Sequence, residues 1–217
     1  MRLTLVRHGR PDEDDSARPH DPPLRADGRR QAQAVATLLA DEGVTRIITS
    51  PMQRASETAA PLAARLGLPP DMIDGWAEAD RHLDRYRSAE TLRALGDAEW
   101  GRFLADPVRY LGHDPVRFMA DVMGALQQSL AGSLAGSLAG SLAGSPAGSR
   151  ADPDDAHVVV FTHGLPINVV LSSILGLARI IHFQPGYGSV TRLRARGPDR
   201  IGILSVNETG HHRFDPT

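Results

Sequence analysis

The chain has 217 residues, 41% of them hydrophobic, enough to bury a sizeable core in one domain or a small pair. Its 24 basic and 26 acidic residues leave a formal charge of −2, so there is no basic excess to hold nucleic acid and no charged tail. The absence of cysteine excludes disulfides, thiolate catalysis and a Cys-ligated zinc site, and no apolar run approaches the ~20 residues of a membrane span.

Residues 2–7 read as a first strand, in which Leu3-Thr4-Leu5-Val6 runs straight into Arg7-His8-Gly9. A strand this early leaves no room for a signal peptide, and a cytoplasmic protein is the expectation. Asp27 can cap a helix over residues 28–41 with Ala34, Val35, Leu38 and Leu39 on one side. Residues 45–49 form a second strand. Ser50 suits the N-cap and Pro51 the first position of a helix over 51–66, which Gly67 ends. Arg54 then falls in the first turn, where a helix favours anions.

Residues 85–128 are predicted helical, with Leu92, Leu95, Phe103 and Leu104 in one stretch and Val116, Met119, Val122, Met123 and Leu126 in another. They form either a helical insertion over the pocket or two surface helices of the same domain. Over 129–150 lies a low-complexity segment, in which Ser-Leu-Ala-Gly occurs four times from Ser129. Each glycine costs a helix interior roughly 1 kcal/mol relative to Ala. The segment therefore reads as an extension of the preceding helix that frays into a linker, dispensable for chemistry. Residues 157–162 are the most strand-like run and end in Thr162-His163-Gly164. A helix from Pro166 to Gly176 and strands near 188–194 and 201–206 close the chain. This alternation predicts a single α/β domain over 1–217, three-layer α/β/α with a mostly parallel sheet.

Two strands that each deliver a His-Gly pair at their carboxyl end place two imidazoles at the edge where open α/β sheets bind ligands. One such histidine alone is more often structural. Two in matched contexts, one with an arginine beside it, point to a phosphate pocket in which one histidine is the nucleophile.

Val6-Arg7-His8-Gly9, Ser50-Pro51 with Arg54 and Thr58-Ala59, and Thr162-His163-Gly164 together resemble the histidine phosphatase superfamily, the phosphoglycerate-mutase-like fold. Asp21-Pro22-Pro23-Leu24 with Gly28 and Gln31-Ala32, Gly188-Ser189-Val190-Thr191 and Asn207-Glu208-Thr209 resemble its further blocks. The resemblance implies a cap made by the 85–128 insertion. It also implies His8 as the nucleophile that becomes phosphohistidine, with Arg7, Arg54 and His163 binding the phosphoryl oxygens. No metal or other cofactor is required where guanidinium and imidazole groups supply the positive field.

The family usually places its acid, a glutamate, in the region that reads Asp74-Gly75-Trp76-Ala77-Glu78-Ala79-Asp80 in this chain; Glu78 fits best and Asp80 competes. Its usual Gly-aromatic-Glu-Gly block is replaced by Arg81-His82-Leu83-Asp84-Arg85-Tyr86. After Gly9, the mutase-type residues are replaced by Arg10-Pro11-Asp12-Glu13-Asp14, which favours hydrolysis over transfer. Arg10 either adds a cation to the rim or pairs with Asp12 or Asp14. The expected activity is that of a phosphomonoesterase acting on a small phosphorylated substrate, with a phosphoprotein also open. A phosphoglycerate-type mutase or an idle phospho-ligand-binding module is the alternative. His20, His82, His113, His157 and His182 read as scattered, and His211-His212 as solvent-exposed, with no metal-ligand spacing among them.

Overall fold

The computed structural model describes residues 1–15, 17–139, 156–197 and 200–214. In chain order these form β1 (Arg2–Arg7), α1 (Ala26–Leu39), β2 (Arg46–Thr49), α2 (Gln53–Leu66), β3 (Asp71–Met72), α3 (Ala89–Ala94), α4 (Asp97–Ala105) and α5 (Pro107–Tyr110). Then follow α6 (Pro115–Ala139), β4 (His157–Thr162), α7 (Gly164–Leu175), β5 (Val190–Ala195) and β6 (Ile201–Glu208). The strands form one sheet in the order β3-β2-β4-β1-β5-β6. β1, β2, β3 and β4 pair in parallel, and β5 runs antiparallel to both β1 and β6.

The alternation of a strand's side chains divides the core into two layers. Val6, Ile47, Val159 and Phe161 face Val35 and Leu39 of α1 and Ala59 and Leu62 of α2. Leu3, Leu5, Ile48, Val158 and Val160 face the opposite way, onto Ile167, Val170 and Leu171 of α7 and Val122, Leu126 and Leu130 of α6. Full burial of such a side chain is worth about 1.5–3 kcal/mol, and a one-residue slip in register would exchange the two sets. The expected three layers are therefore observed. From β1 the chain passes through α1 to β2 on one side, and from β4 it passes through α7 to β5 on the other. The two departures flank the β4–β1 pair and open a crevice at its carboxyl edge.

Several boundaries differ from the sequence expectation. α1 begins at Ala26 with Arg25 at its N-cap and no side-chain cap. Asp27 lies inside the first turn, its Oδ1 accepting from the N–H of Gly28 at 3.0 Å. The start of α2 is Gln53, not Pro51, because Asp21 supplies the missing acceptor: its Oδ2 takes the Gln53 N–H at 2.8 Å. Ser50 is thereby left for another partner. α7 begins at Gly164, two residues before Pro166. Gly67 and Gly176 end their helices in the left-handed region, as expected, at φ 64° and 65°. The two-residue β3 has no pattern of its own and is defined by pairing with Ile48 and Thr49.

α6 continues across residue 129 into the Ser-Leu-Ala-Gly tract as far as Ala139. Ser129 and Leu130 are core residues, 0% and 4% exposed. Ser129 Oγ donates to the Ala125 carbonyl at 2.7 Å and accepts from Trp76 Nε1 at 3.0 Å. The tract therefore begins inside the core. The rest of it, from residue 140, lies outside the described residues. Among the described residues no helix is long and apolar enough to cross a membrane.

Candidate active site

Three strand ends meet at the crevice. The ladder continues one residue beyond each: the His8 N–H donates to the Thr162 carbonyl at 2.9 Å, and the Ser50 N–H to that of Phe161 at 2.9 Å. His8, Ser50 and His163 thus leave neighbouring strands side by side. Gly9 lets the chain turn away. A Cβ there would lie 2.4 Å from the Gly28 carbonyl oxygen, so the loop after β1 packs backbone against backbone on the start of α1.

His8 is 2% exposed and His163 fully buried, with ring centroids 5.0 Å apart. His8 Nδ1 lies 2.8 Å from the Gly9 carbonyl, which can only accept. The ring proton therefore sits on Nδ1, and Nε2 carries a lone pair. Burial, reinforced by Arg54 and Arg7, holds the His8 imidazole well below the usual histidine range. Burial does the same to His163, with Arg54, His8 and Arg7 adding to it. Both rings are neutral near pH 7, as a nucleophilic imidazole must be.

His163 Nε2 lies 2.8 Å from Ser50 Oγ. Ser50 Oγ accepts the Met52 N–H at 3.3 Å, which leaves its O–H able to donate a hydrogen bond to His163 Nε2. With Ser50 as the donor, the ring proton lies on Nδ1, a buried atom with no partner. Arg7 Nε and Arg54 Nε are buried and unpartnered as well. A buried donor without an acceptor costs roughly 1–3 kcal/mol. Three of them on residues around one imidazole suit an anion, and they are the three sequence-predicted phosphate ligands.

The guanidiniums are fixed from behind. Arg54, 0% exposed, holds Asp80 with Nη2 at 3.0 and 3.2 Å and Asp21 with Nη1 at 3.4 Å. Arg7 Nη1 donates to the Pro185 carbonyl at 2.5 Å. Two tyrosines cover them: the Arg7 guanidinium carbon stands 4.0 Å from the Tyr187 ring centre, that of Arg54 4.5 Å from the Tyr86 ring centre. The tyrosine hydroxyls are 3.4 Å apart.

Glu78 follows a 3₁₀ turn, Asp74–Trp76, pinned against α6; a Cβ on Gly75 would lie 2.3 Å from the Asp121 carbonyl oxygen. Its carboxylate accepts the N–H of Leu165 at 3.1 Å, in the first turn of α7, and that of Ala79 at 3.0 Å. Burial first, and then the Asp80 charge, push its pKa up to about 7. Asp80 is also pushed upward by burial, but Arg54 pulls against this. The two carboxylates, alternatives for one role on sequence, occupy two different places: Asp80 on Arg54 and Glu78 beside the start of α7.

A model of the histidine phosphatase superfamily (branch 1) matches residues 3–139. The chain belongs to that superfamily. The uncharacterized protein Rv0525 of Mycobacterium tuberculosis (strain ATCC 25618 / H37Rv) is 53% identical over 55 residues, which is 24% of this chain and only 27% of that relative's length. The probable phosphoglycerate mutase GpmB of Proteus mirabilis (strain HI4320) is 29% identical over 203 residues, covering 90% of this chain and 81% of that protein. Among solved structures, mycobacterial glucosyl-3-phosphoglycerate phosphatase Rv2419c with VO3 superposes with a TM-score of 0.72 at 22% identity, covering 96% and 99% of the two chains. The phosphoserine phosphatase of Entamoeba histolytica gives 0.62 at 22% identity, covering 97% and 98%. These two show the shared fold.

The stretch matched to the superfamily holds Arg7, His8, Arg54 and Glu78. His163 lies beyond it and joins them through the β1–β4 register, where Arg7 is opposite Thr162. Sequence reasoning missed Ser50 as the partner of His163, Asp80 as the partner of Arg54, and the tyrosine cover. Only Ser50 carried a local signal, and that signal suggested a helix cap. Arg10 pairs with neither Asp12 nor Asp14 but lies 3.7 Å from Asp27, while its N–H is held by Gln31 at 2.9 Å. His211 and His212 are half-buried rather than exposed, His211 Nε2 lying 2.9 Å from the Gly188 carbonyl. Among the described residues no group of three or more His, Cys, Asp or Glu is placed to hold a metal ion.

Proposed function

We propose that this member of the histidine phosphatase superfamily is a phosphomonoesterase that works without a metal through a phosphohistidine on His8, taking a small phosphorylated compound as substrate. The observation that carries this reading is His8 with its Nδ1 held 2.8 Å from the Gly9 carbonyl, set among three buried side-chain nitrogens that have no partner. The Nε2 lone pair of His8 attacks phosphorus. Arg7 Nε, Arg54 Nε and His163 Nδ1 receive the phosphoryl oxygens and stabilise the charge that spreads over them. The P–O bond to the alcohol breaks, and Glu78, protonated at a pKa of about 7, gives its proton to the departing oxygen. The resulting carboxylate takes a proton from water. That water attacks the phosphohistidine, releases inorganic phosphate and restores both groups.

Hydrolysis is preferred to a mutase reaction because the segment after Gly9 is committed elsewhere, Arg10 to Asp27 and Gln31. A set of phosphorylated metabolites assayed with a chelator present separates the two. Release of inorganic phosphate at an undiminished rate is the expected result. Isomerisation without release would establish a mutase, and strong inhibition by the chelator would show a metal requirement.

A further inference from the structure

Arg7, His8 and Glu78 line a cavity of about 550 Å³, a size typical of sites for whole small ligands. Its remaining wall is largely apolar. Leu92 of α3, Trp100 and Phe103 of α4, Leu111, Ile181 and Phe183 line it. Trp100 and Phe103 stack with centroids 5.3 Å apart. Asn168 in α7 fixes the 182–183 segment: its Oδ1 accepts the N–H groups of His182 and Phe183 at 3.1 and 3.0 Å, and its Nδ2 donates to the Phe183 carbonyl at 3.0 Å. The apolar wall is thus built from α3 and α4 on one side and a tethered loop on the other.

Charged side chains in this part of the lining are Arg87, Glu90 and Arg93, and all three are exposed residues. Arg93 is already engaged, its guanidinium carbon 4.6 Å from the Trp100 ring centre and its Nη2 3.4 Å from Gln184 Oε1. Glu90 accepts from the Tyr187 hydroxyl at 3.2 Å. The cations in this part of the lining, Arg87 and Arg93, belong to exposed residues, and the buried wall around Leu92 and Phe103 offers none for a carboxylate.

We infer that the alcohol released by this enzyme is bulky and apolar, so that the preferred substrate is a monophosphate ester of an alkyl, alicyclic or aromatic alcohol rather than a phosphorylated small acid. This rests on the phosphomonoesterase reading above. In-line attack by His8 Nε2 places the leaving oxygen on the far side of phosphorus, so the organic group extends away from His8 into the apolar part of the cavity. A substrate such as 3-phosphoglycerate or phosphoserine would set a carboxylate against leucine and phenylalanine side chains, and burial of an unpaired charge there is strongly unfavourable.

The test reads binding separately from turnover. Calorimetric titration of the intact protein with n-alkylphosphonates from methyl to hexyl, whose C–P bond cannot be hydrolysed in this way, should show affinity rising about fourfold per methylene. 3-Phosphonopropionate, which carries a carboxylate, should bind more weakly than propylphosphonate. The Trp100→Ala variant should flatten the dependence on chain length, and Trp100→Phe should restore most of it. Affinity independent of chain length, tighter binding of the carboxylate-bearing compound, or no binding of any phosphonate would overturn the inference. Failure of the enzymatic reading is distinguishable, because it would appear as absent phosphate release from alkyl phosphates while the chain-length dependence of phosphonate binding persisted.

Discussion

At the scale of single residues, the position of the proton donor governs the chemistry. Glu78 must be protonated to serve an alkoxide leaving group, and a pKa of about 7 keeps it so. With alkyl phosphates kcat/KM should therefore fall as pH rises through about 7, a limb that Glu78→Gln removes together with most of the activity. Activated aryl phosphates, whose leaving oxygen hardly needs a proton, should be far less affected by this substitution. The same shift has a thermodynamic counterpart. Glu78 binds its proton more tightly folded than unfolded, where the carboxyl has its ordinary value of about 4.5. Stability therefore falls as pH rises from about 4.5 to about 7, by on the order of 3 kcal/mol in total. Denaturant unfolding should show Glu78→Gln gaining stability relative to the parent at pH 8 compared with pH 5; an equal difference at both pH values would contradict the assignment. Asp80→Asn should behave differently, because it loosens Arg54 instead of removing an acid. Alkyl and aryl esters should lose activity together, by up to roughly 10²-fold, the cost of misplacing a positioned group. A loss confined to alkyl esters would make Asp80 the donor. The sequence carried the residue types here but not the division of labour. Glu78 and Asp80 are two positions apart, and only the direction from which Arg54 approaches tells them apart.

Elements legible in the sequence were those with a strong period of their own. The run Val158-Val159-Val160-Phe161, buried on both faces, and the Arg-His-Gly strand end were located to the residue. Starts of helices were less legible, because α2 takes its first acceptor from Asp21, 32 positions away from Gln53. The repeat tract extends α6 as its sequence suggests, but the depth to which its first residues are buried is not legible there. Glycine content argues against a helix in isolation, whereas Ser129 and Leu130 are held by Trp76 and the core. A deletion that starts at Ser129 should therefore destabilise the fold, and Leu130→Ala alone should cost about 2–5 kcal/mol by denaturant unfolding. Wild-type stability in Leu130→Ala would place that leucine outside the core.

At the scale of the whole molecule, topology places the chemistry. The crevice lies where the chain leaves β1 and β4 in opposite directions, and the groups at the carboxyl edge come from segments separated by more than 150 positions, His8 and His163. The paired His-Gly motifs made that edge readable from sequence. The cavity beyond it was not readable, since its wall combines α3, α4 and the 181–183 segment, whose apolar residues carry no signal that they face a ligand rather than a core. The central claim is a covalent phosphoryl group on His8. The most direct measurement is brief reaction with a ³²P-labelled alkyl phosphate, followed by quenching in alkali, peptide mapping and a test of acid stability. Label that is stable in alkali, lost in acid, carried by the peptide containing His8 and absent from His8→Ala is the predicted result. Normal turnover by His8→Ala, or label on another residue, would contradict it.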